Sequence, residues 1–179
     1  IAGAVAWKKY SQAAARSGLV LAAAYLSFGW MQMQRAETAA TALIAERGHR
    51  AERLLVKPTL ANLVLWRSIY EFDGQFHVDA IRVVLFSEPR VSPGESVEKF
   101  VLESDLSGLP VASVLAQDIA RFSHFSSGYL AIRPQQPEVL VDVRYSNLPT
   151  TTAPLWGIEI DPQQPDRHAQ YKLYRDSSK

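Results

Sequence analysis

Between Arg16 and Arg35 the chain carries no charged side chain: SGLVLAAAYLSFGWMQMQ, 18 residues from Ser17 to Gln34. As an α-helix this run measures about 27 Å, against a bilayer hydrocarbon core of about 30 Å. It therefore sits at the short end of what can cross a membrane. No proline interrupts the stretch from about Ser11 to Arg47, and many of its residues are Ala, Leu or Met, which predicts one long helix. The first part is apolar all round, as lipid or a fully buried position requires. The second part is amphipathic: Ala36, Ala40, Leu43 and Ile44 recur at helical spacing, with Arg35, Glu37, Glu46 and Arg47 lying elsewhere. Gly48 is a helix stop. The expectation is a transmembrane helix over about 11–34 that runs into an amphipathic stalk. Gln12, Ser17, Ser27, Gln32 and Gln34 dilute the apolar signal, and a buried core helix of a soluble domain is the alternative.

The chain opens IAGAVAW, without a methionine and without a charge before Lys8 and Lys9. This reads as the tail of an earlier apolar segment, with residues 1–48 forming the end of a membrane region. A secretory signal peptide is the competing reading, but Trp30-Met31-Gln32-Met33-Gln34 is a poor small-residue cleavage site. Lys8, Lys9 and Arg16 precede the run with no acid among them, which by the positive-inside rule puts the following domain outside the cytoplasm. Arg35, Arg47, Arg50 and Arg53 follow on the other side and weaken that orientation.

A chain of 179 residues with 47% apolar residues can bury a core. A net charge of +1 gives no electrostatic case for nucleic acid. Cysteine is absent, which removes disulfides and thiol catalysis.

After Gly48 the pattern turns to β, and residues 49–179 read as an extramembrane domain with a polar C-terminal tail. Leu54-Leu55-Val56 precedes Pro58. Val64–Phe72 and Phe76–Phe86 are β-rich runs joined by Asp73-Gly74, the type I′ hairpin signature. Ser87–Leu106, with Pro89, Pro93 and Gly94, reads as a loop with a short strand at Lys99–Leu102. Pro110–Phe122 reads as a helix with Val111, Val114, Leu115, Ile119 and Phe122 as its apolar stripe. A second hairpin follows: Tyr129–Arg133, a loop with Pro134 and Pro137, then Val139–Tyr145. Trp156–Ile160 adds a strand with Trp156, Ile158 and Ile160 on one face, and Tyr171–Tyr174 an edge strand. The expected fold class is α+β: a long N-terminal helix followed by a small antiparallel-sheet domain with one packed helix.

Residues with chemical potential are scattered. His49, His77, His124 and His168 lack the partner spacing of a metal site. His77 and Asp79 share a strand face, where a solvent-facing edge is the simpler reading. Arg121–Gly128 offers His124 beside Ser123, Ser126 and Ser127, but the nucleophile elbow G-x-S-x-G is absent. Helix closure with two inward Phe rings accounts for those residues more simply. Asp142 and Arg144 share a face, as an ion pair or as an anion site in which Asp142 orients Arg144. In Asn62–Arg67, Trp66 anchors the sheet and Arg67 pairs across strands or meets lipid head groups. No Gly-rich phosphate loop occurs.

Two stretches carry a family resemblance. Arg47-Gly48-His49 followed by Lys57-Pro58-Thr59-Leu60-Ala61-Asn62-Leu63-Val64-Leu65-Trp66-Arg67 resembles the "RG" helix end and "P-[TS]-x-x-N-x-x-x-W-R" stretch of the YdjM-like bacterial membrane-bound metal-dependent hydrolases. Phe122–Tyr129 and Val141–Tyr145 resemble that family's "F-S-x-G-[FY] … D-x-R" pattern. The resemblance covers roughly residues 15–160. It implies several membrane helices in the bacterial inner membrane and an H-x-x-x-[ST]-H metal motif near the N-terminus. It also implies metal-activated water attacking an ester-type bond. This chain contains no such motif, so the divalent metal, zinc by implication, belongs upstream of Ile1 and no catalytic residue carries over. The expectation is an accessory C-terminal domain on the periplasmic side, with membrane lipid and its own membrane region as partners. Arg67, Asp142, Arg144 and His124 are its candidate contacts. A non-catalytic membrane-anchored scaffold and a soluble enzyme built on His124 with Ser126 or Ser127 are the alternatives.

Overall fold

The computed structural model describes residues 2–133 and 136–173, with side chains from residue 12 onward. Helix α1 (Ala2–Glu46) leads into strands β1 (Arg53–Pro58), β2 (Leu65–Phe72), β3 (Gln75–Arg82) and β4 (Arg90–Glu98). Helices α2 (Leu102–Asp105) and α3 (Val114–Phe125) follow, and then strands β5 (Leu130–Arg133), β6 (Gln136–Asp142), β7 (Trp156–Glu159) and β8 (Gln170–Leu173). The fold class is α+β, with a long N-terminal helix and two antiparallel sheets, ordered β1-β2-β3-β4 and β5-β6-β7-β8.

Strand parity explains why the sheets stack. On β2 and β3, Ile69, Phe76 and Val78 face the second sheet, where they pack with Tyr129, Ala131, Val139, Val141 and Val143. The opposite parity sends Trp66 and Ile81 to α1, against Ala36 and Ala40. Strand β2 is thus covered on both faces, and its side chains from Trp66 to Glu71 are all buried. The outer face of the second sheet packs under α3 through Leu115, Ile119, Phe122, Leu130, Leu140 and Ile160. The result is four layers: helix, sheet, sheet, helix. The single sheet expected from the sequence is therefore corrected to two.

Local signals account for most elements. Asp73 and Gly74 both take positive φ, 52° and 70°, and close the β2–β3 hairpin as a type I′ turn requires. Gly48 (φ 69°) ends α1, with the His49 amide returning to the Ile44 carbonyl at 3.0 Å. Ser113, not Pro110, starts α3: its hydroxyl accepts from the Ala116 amide at 3.2 Å. Two expectations fail between residues 87 and 106. The segment read as loop contains β4, and the strand expected at Lys99–Leu102 does not form: residues 99–101 are irregular and Leu102 begins the short helix α2. Pro93 is tolerated because β4 is an edge strand and its register shifts opposite His77–Asp79. Trp156, Ile158 and Ile160 join one apolar cluster, as their alternation predicts. The edge strand near the C-terminus forms as β8. Its expected last residue Tyr174, the final tail, Pro134 of the second hairpin loop and Ile1 lie outside the described residues.

The expected membrane-spanning helix over about 11–34 is not supported. Among the described residues no helix is long and apolar enough to cross a membrane. The reason is visible along α1. Gln32 and Gln34 lower the apolarity of the run, and from Gln32 onward the helix is docked on the first sheet. Gln32 is buried and donates to the carbonyls of Val83 (3.0 Å) and Leu63 (3.3 Å). Ala36, Ala40 and Ile44 continue that buried stripe. The small alanines let the helix approach the sheet closely. Residues 12–27 touch nothing comparable, and every one of them is exposed.

Candidate functional site

The densest polar cluster lies where the end of α1 meets the first sheet. Gly48 turns the chain so that Arg47 and His49 both fall on the α1-facing parity of β2 and β3, which carries Tyr70, His77 and Asp79. Arg47 grips the buried Asp79 carboxylate with both terminal nitrogens, at 2.8 and 2.9 Å. Its Nη1 also donates to the Tyr70 hydroxyl at 2.9 Å. That hydroxyl lies 2.9 Å from His49 Nδ1. Tyr70 is fully buried, and a guanidinium can only donate. With His49 Nδ1 as the acceptor, the buried Tyr70 hydroxyl both accepts from Arg47 and donates to the imidazole. The His49 ring stacks on Phe72 at 4.2 Å, and the His77 ring stacks on Tyr70 at 4.8 Å. The two imidazoles are 5.2 Å apart.

Chemically this arrangement orients a pair of imidazoles and locks a helix end. Among the described residues no three His, Asp or Glu side chains converge as metal ligands. Asp79, the nearest acid, is occupied by Arg47. The sequence alone favours a solvent-facing edge for His77 and Asp79. The structure buries Asp79 and adds Arg47, His49 and Tyr70, which the sequence does not single out as a group. The period-2 alternation that puts Trp66 and Tyr70 on one face is the signal for Tyr70.

Burial, then the neighbouring His49 and Arg47, push the His77 imidazole below its ordinary value, with Asp79 opposing. The folded state thus favours neutral His77. As pH falls through about 6.5, the unfolded chain takes up this proton first, so stability declines with acid from there down to the depressed native value. Urea midpoints measured from neutral to mildly acidic pH should fall in the wild type and fall less in His77→Gln. An unchanged slope in the variant would assign the acid sensitivity to other groups.

A second polar layer runs between the sheets. Glu71 is buried and accepts from Arg53 Nε (2.5 Å) and from the Lys99 ammonium. Burial alone would raise its carboxyl, but the hydrogen bonds from Lys99 and Arg53 together outweigh it and hold the group below the usual range. Arg53 also donates to the carbonyls of Ser127 (2.7 Å) and Gly128 (2.9 Å) and lies over the Tyr129 ring at 3.9 Å. This one side chain ties β1 to the turn after α3.

Of the four candidate contacts expected from the sequence, Asp142 and Arg144 form one ion pair, while Arg67 and His124 have separate surroundings. Arg67 is buried between the sheet and the 143–151 loop, where it donates to the carbonyls of Val143, Leu148, Pro149 and Thr151 at 2.8–3.0 Å. Asp142 is fully buried and holds Arg144 through Nε (2.9 Å) and Nη2 (2.7 Å). Arg144 Nη2 also donates to the Phe125 carbonyl at 2.9 Å, fixing the end of α3. Asp142 therefore does orient Arg144, but toward a backbone oxygen. His124 is exposed beside a cleft of about 820 Å³ that Lys99, Glu103, Ser123 and Ser127 also line. Among the described residues no serine hydroxyl or carboxylate hydrogen-bonds His124. Ser126 is buried, its hydroxyl donating to the Ser123 carbonyl at 3.1 Å, which closes the helix end.

No protein-family model, no curated protein and no solved structure matches the chain.

Proposed function

We propose that this chain is an extramembrane accessory domain of a membrane-bound metal-dependent hydrolase, standing at the foot of a helix whose apolar half is covered by other helices and lipid. The observation that carries the reading is the split character of α1. Its last turns, from Gln32 to Ile44, are docked on the first sheet, while Leu19, Val20, Leu21, Tyr25, Leu26 and Trp30 are all well exposed. A helix that presents large apolar side chains all round needs apolar cover. A helix packed among others need not be uniformly apolar, so the polarity that prevents a lone crossing is compatible with a place in a bundle.

The described residues do not form a site for the implied metal, and no chemical step is assigned to them. Arg67, Asp142 and Arg144 are committed to carbonyls and to one another, which favours a positioning role over a catalytic one. The resemblance supports the same division of labour, with metal ligands outside the domain. Its P-T-x-x-N-x-x-x-W-R stretch braces the β1–β2 loop against α1. Asn62 Oδ1 accepts from the amides of Val64 (2.9 Å) and Leu65 (2.7 Å), and Trp66 Nε1 donates to the Leu63 carbonyl at 3.1 Å.

On this reading the protein sits in the bacterial inner membrane with the domain on the periplasmic side. Full-length protein should stay in the membrane fraction through an alkaline wash, and the purified protein should carry stoichiometric divalent metal. Metal-free protein that remains in the membrane would leave a non-catalytic scaffold. Release by the wash would remove the membrane assignment. A reporter fused after Lys179 should respond as periplasmic.

A further inference from the structure

We infer that the β1–β2 and β3–β4 loops form a lipid-facing seat, which rests the domain on an anionic bilayer surface around the point where α1 leaves it. This rests on the membrane reading above and adds a binding surface to it.

Both loops flank α1 at one level. Gln32 holds Leu63 and Val83 from the helix side, Arg35 Nη1 donates to the Val84 carbonyl at 3.1 Å, and Arg35 Nη2 reaches the Ser87 carbonyl. Gly29 lies against Leu63, where an added Cβ would be 3.7 Å from its methyls. The loops are thus pinned beside the start of the exposed apolar half of the helix. Each presents a large apolar side chain outward: Leu60 is 97% exposed and Phe86 is 96% exposed. Val64 and Leu85 flank them, also exposed, and Trp30 stands on the helix at the same level.

Backbone strain accompanies this display. Ala61 has φ 57°, and Phe86 itself has φ 60°. A left-handed conformation is costly for a bulky aromatic residue and persists only where the surroundings enforce it. Charge adds an independent observation. Arg82 and Arg90 are directly paired across β3 and β4 at this end of the sheet, and both are exposed. Like charges opposite one another are unfavourable unless an anion lies between or beside them. Among the described residues neither makes an ion pair. Apolar tips backed by these arginines, with a Trp at the same depth, match the boundary between acyl chains and anionic head groups.

The chain has no cysteine, so a single label can be placed cleanly. Leu60→Cys and Phe86→Cys would each carry an environment-sensitive fluorophore, with Gln163→Cys in the exposed turn after β7 as the control. The full chain is then bound to vesicles of phosphatidylethanolamine and phosphatidylglycerol containing lipids brominated on their acyl chains. Both loop labels should shift to the blue and be quenched, and the Gln163 label should not. A Leu60→Ser/Phe86→Ser variant should bind these vesicles about tenfold more weakly, and added salt should weaken the wild type. Loop labels that stay aqueous on a vesicle-bound chain overturn the seat and leave the proposed function standing. Loop labels that shift to the blue on the bound chain but are not quenched by the brominated acyl chains overturn it in favour of contact with a second protein molecule. Failure of the whole chain to bind vesicles overturns the membrane reading itself.

Discussion

Arg67→Ala should destabilise the fold by about 4 kcal/mol, a large part of what a domain of this size has to lose. The guanidinium is buried between β2 and the 143–151 loop, and four carbonyls converge on its two terminal nitrogens. Burial pushes Arg67 down to about 10, which still leaves it charged at neutral pH. Truncation leaves Val143, Leu148, Pro149 and Thr151 with unmade hydrogen bonds in a space that alanine does not fill. It also releases the loop that joins β6 to β7 from the first sheet. Arg67→Lys keeps the charge but loses the planar fork, since one ammonium cannot reach four carbonyls set around a guanidinium. It should recover less than half of the loss. The measurement is urea unfolding followed by tryptophan fluorescence, with Trp66 adjoining the site. A midpoint unchanged in Arg67→Ala would show that the two sheets hold together without this bolt.

How far such features can be read from the sequence depends on whether their cause is local. Asp73-Gly74 specifies its own backbone, so the β2–β3 hairpin is legible to within a few residues. Gly48 and the alternation of Trp156, Ile158 and Ile160 are legible for the same reason. Strand β4 is not, because Pro93 and Gly94 speak locally for a loop and only an edge position beside β3 makes them acceptable. Gly94 shows how long-range that acceptance is: a Cβ there would lie 2.3 Å from the Thr150 carbonyl oxygen and 2.4 Å from that of Val78. The loop at residue 150 closes on β4 only because no side chain intervenes.

The division into two sheets escapes the sequence for a related reason. Each strand alternates, but nothing in a single strand says that Ile69 and Val139 face each other across separate sheets. Charged residues mislead more than apolar ones. Arg67, Glu71 and Asp79 look like surface groups one at a time, and each is buried with partners that come from elsewhere in the fold, whereas the partner of the buried Asp142 is the nearby Arg144. The apolar run is legible as a helix. Its status as a crossing is not, because the sheet takes its last turns through Gln32, a residue whose burial depends on the carbonyls of Leu63 and Val83.

Arg47→Met should cost about 3 kcal/mol and loosen α1 from the sheet. Asp79 would be left as a buried carboxylate with the Gly94 amide, at 3.2 Å, as its remaining donor, and an unpaired buried charge is far costlier than a missing pair. The Tyr70 hydroxyl would lose its charged donor at the same time. Arg47→Met/Asp79→Leu removes both charges and should regain about 2 kcal/mol relative to the single variant, as expected for residues in direct contact. The structural consequence can be separated from global stability. Arg50 is exposed just after the helix, so trypsin should cut there faster in Arg47→Met than in the wild type under native conditions, and the double variant should restore protection. Equal cleavage rates in all three proteins would mean that the Ala36, Ala40 and Ile44 stripe holds the helix unaided. In that case the Arg47–Asp79 pair fixes only the imidazole cluster beneath the helix. Faster cleavage would make the pair the latch that transmits the position of α1 to the two-sheet domain.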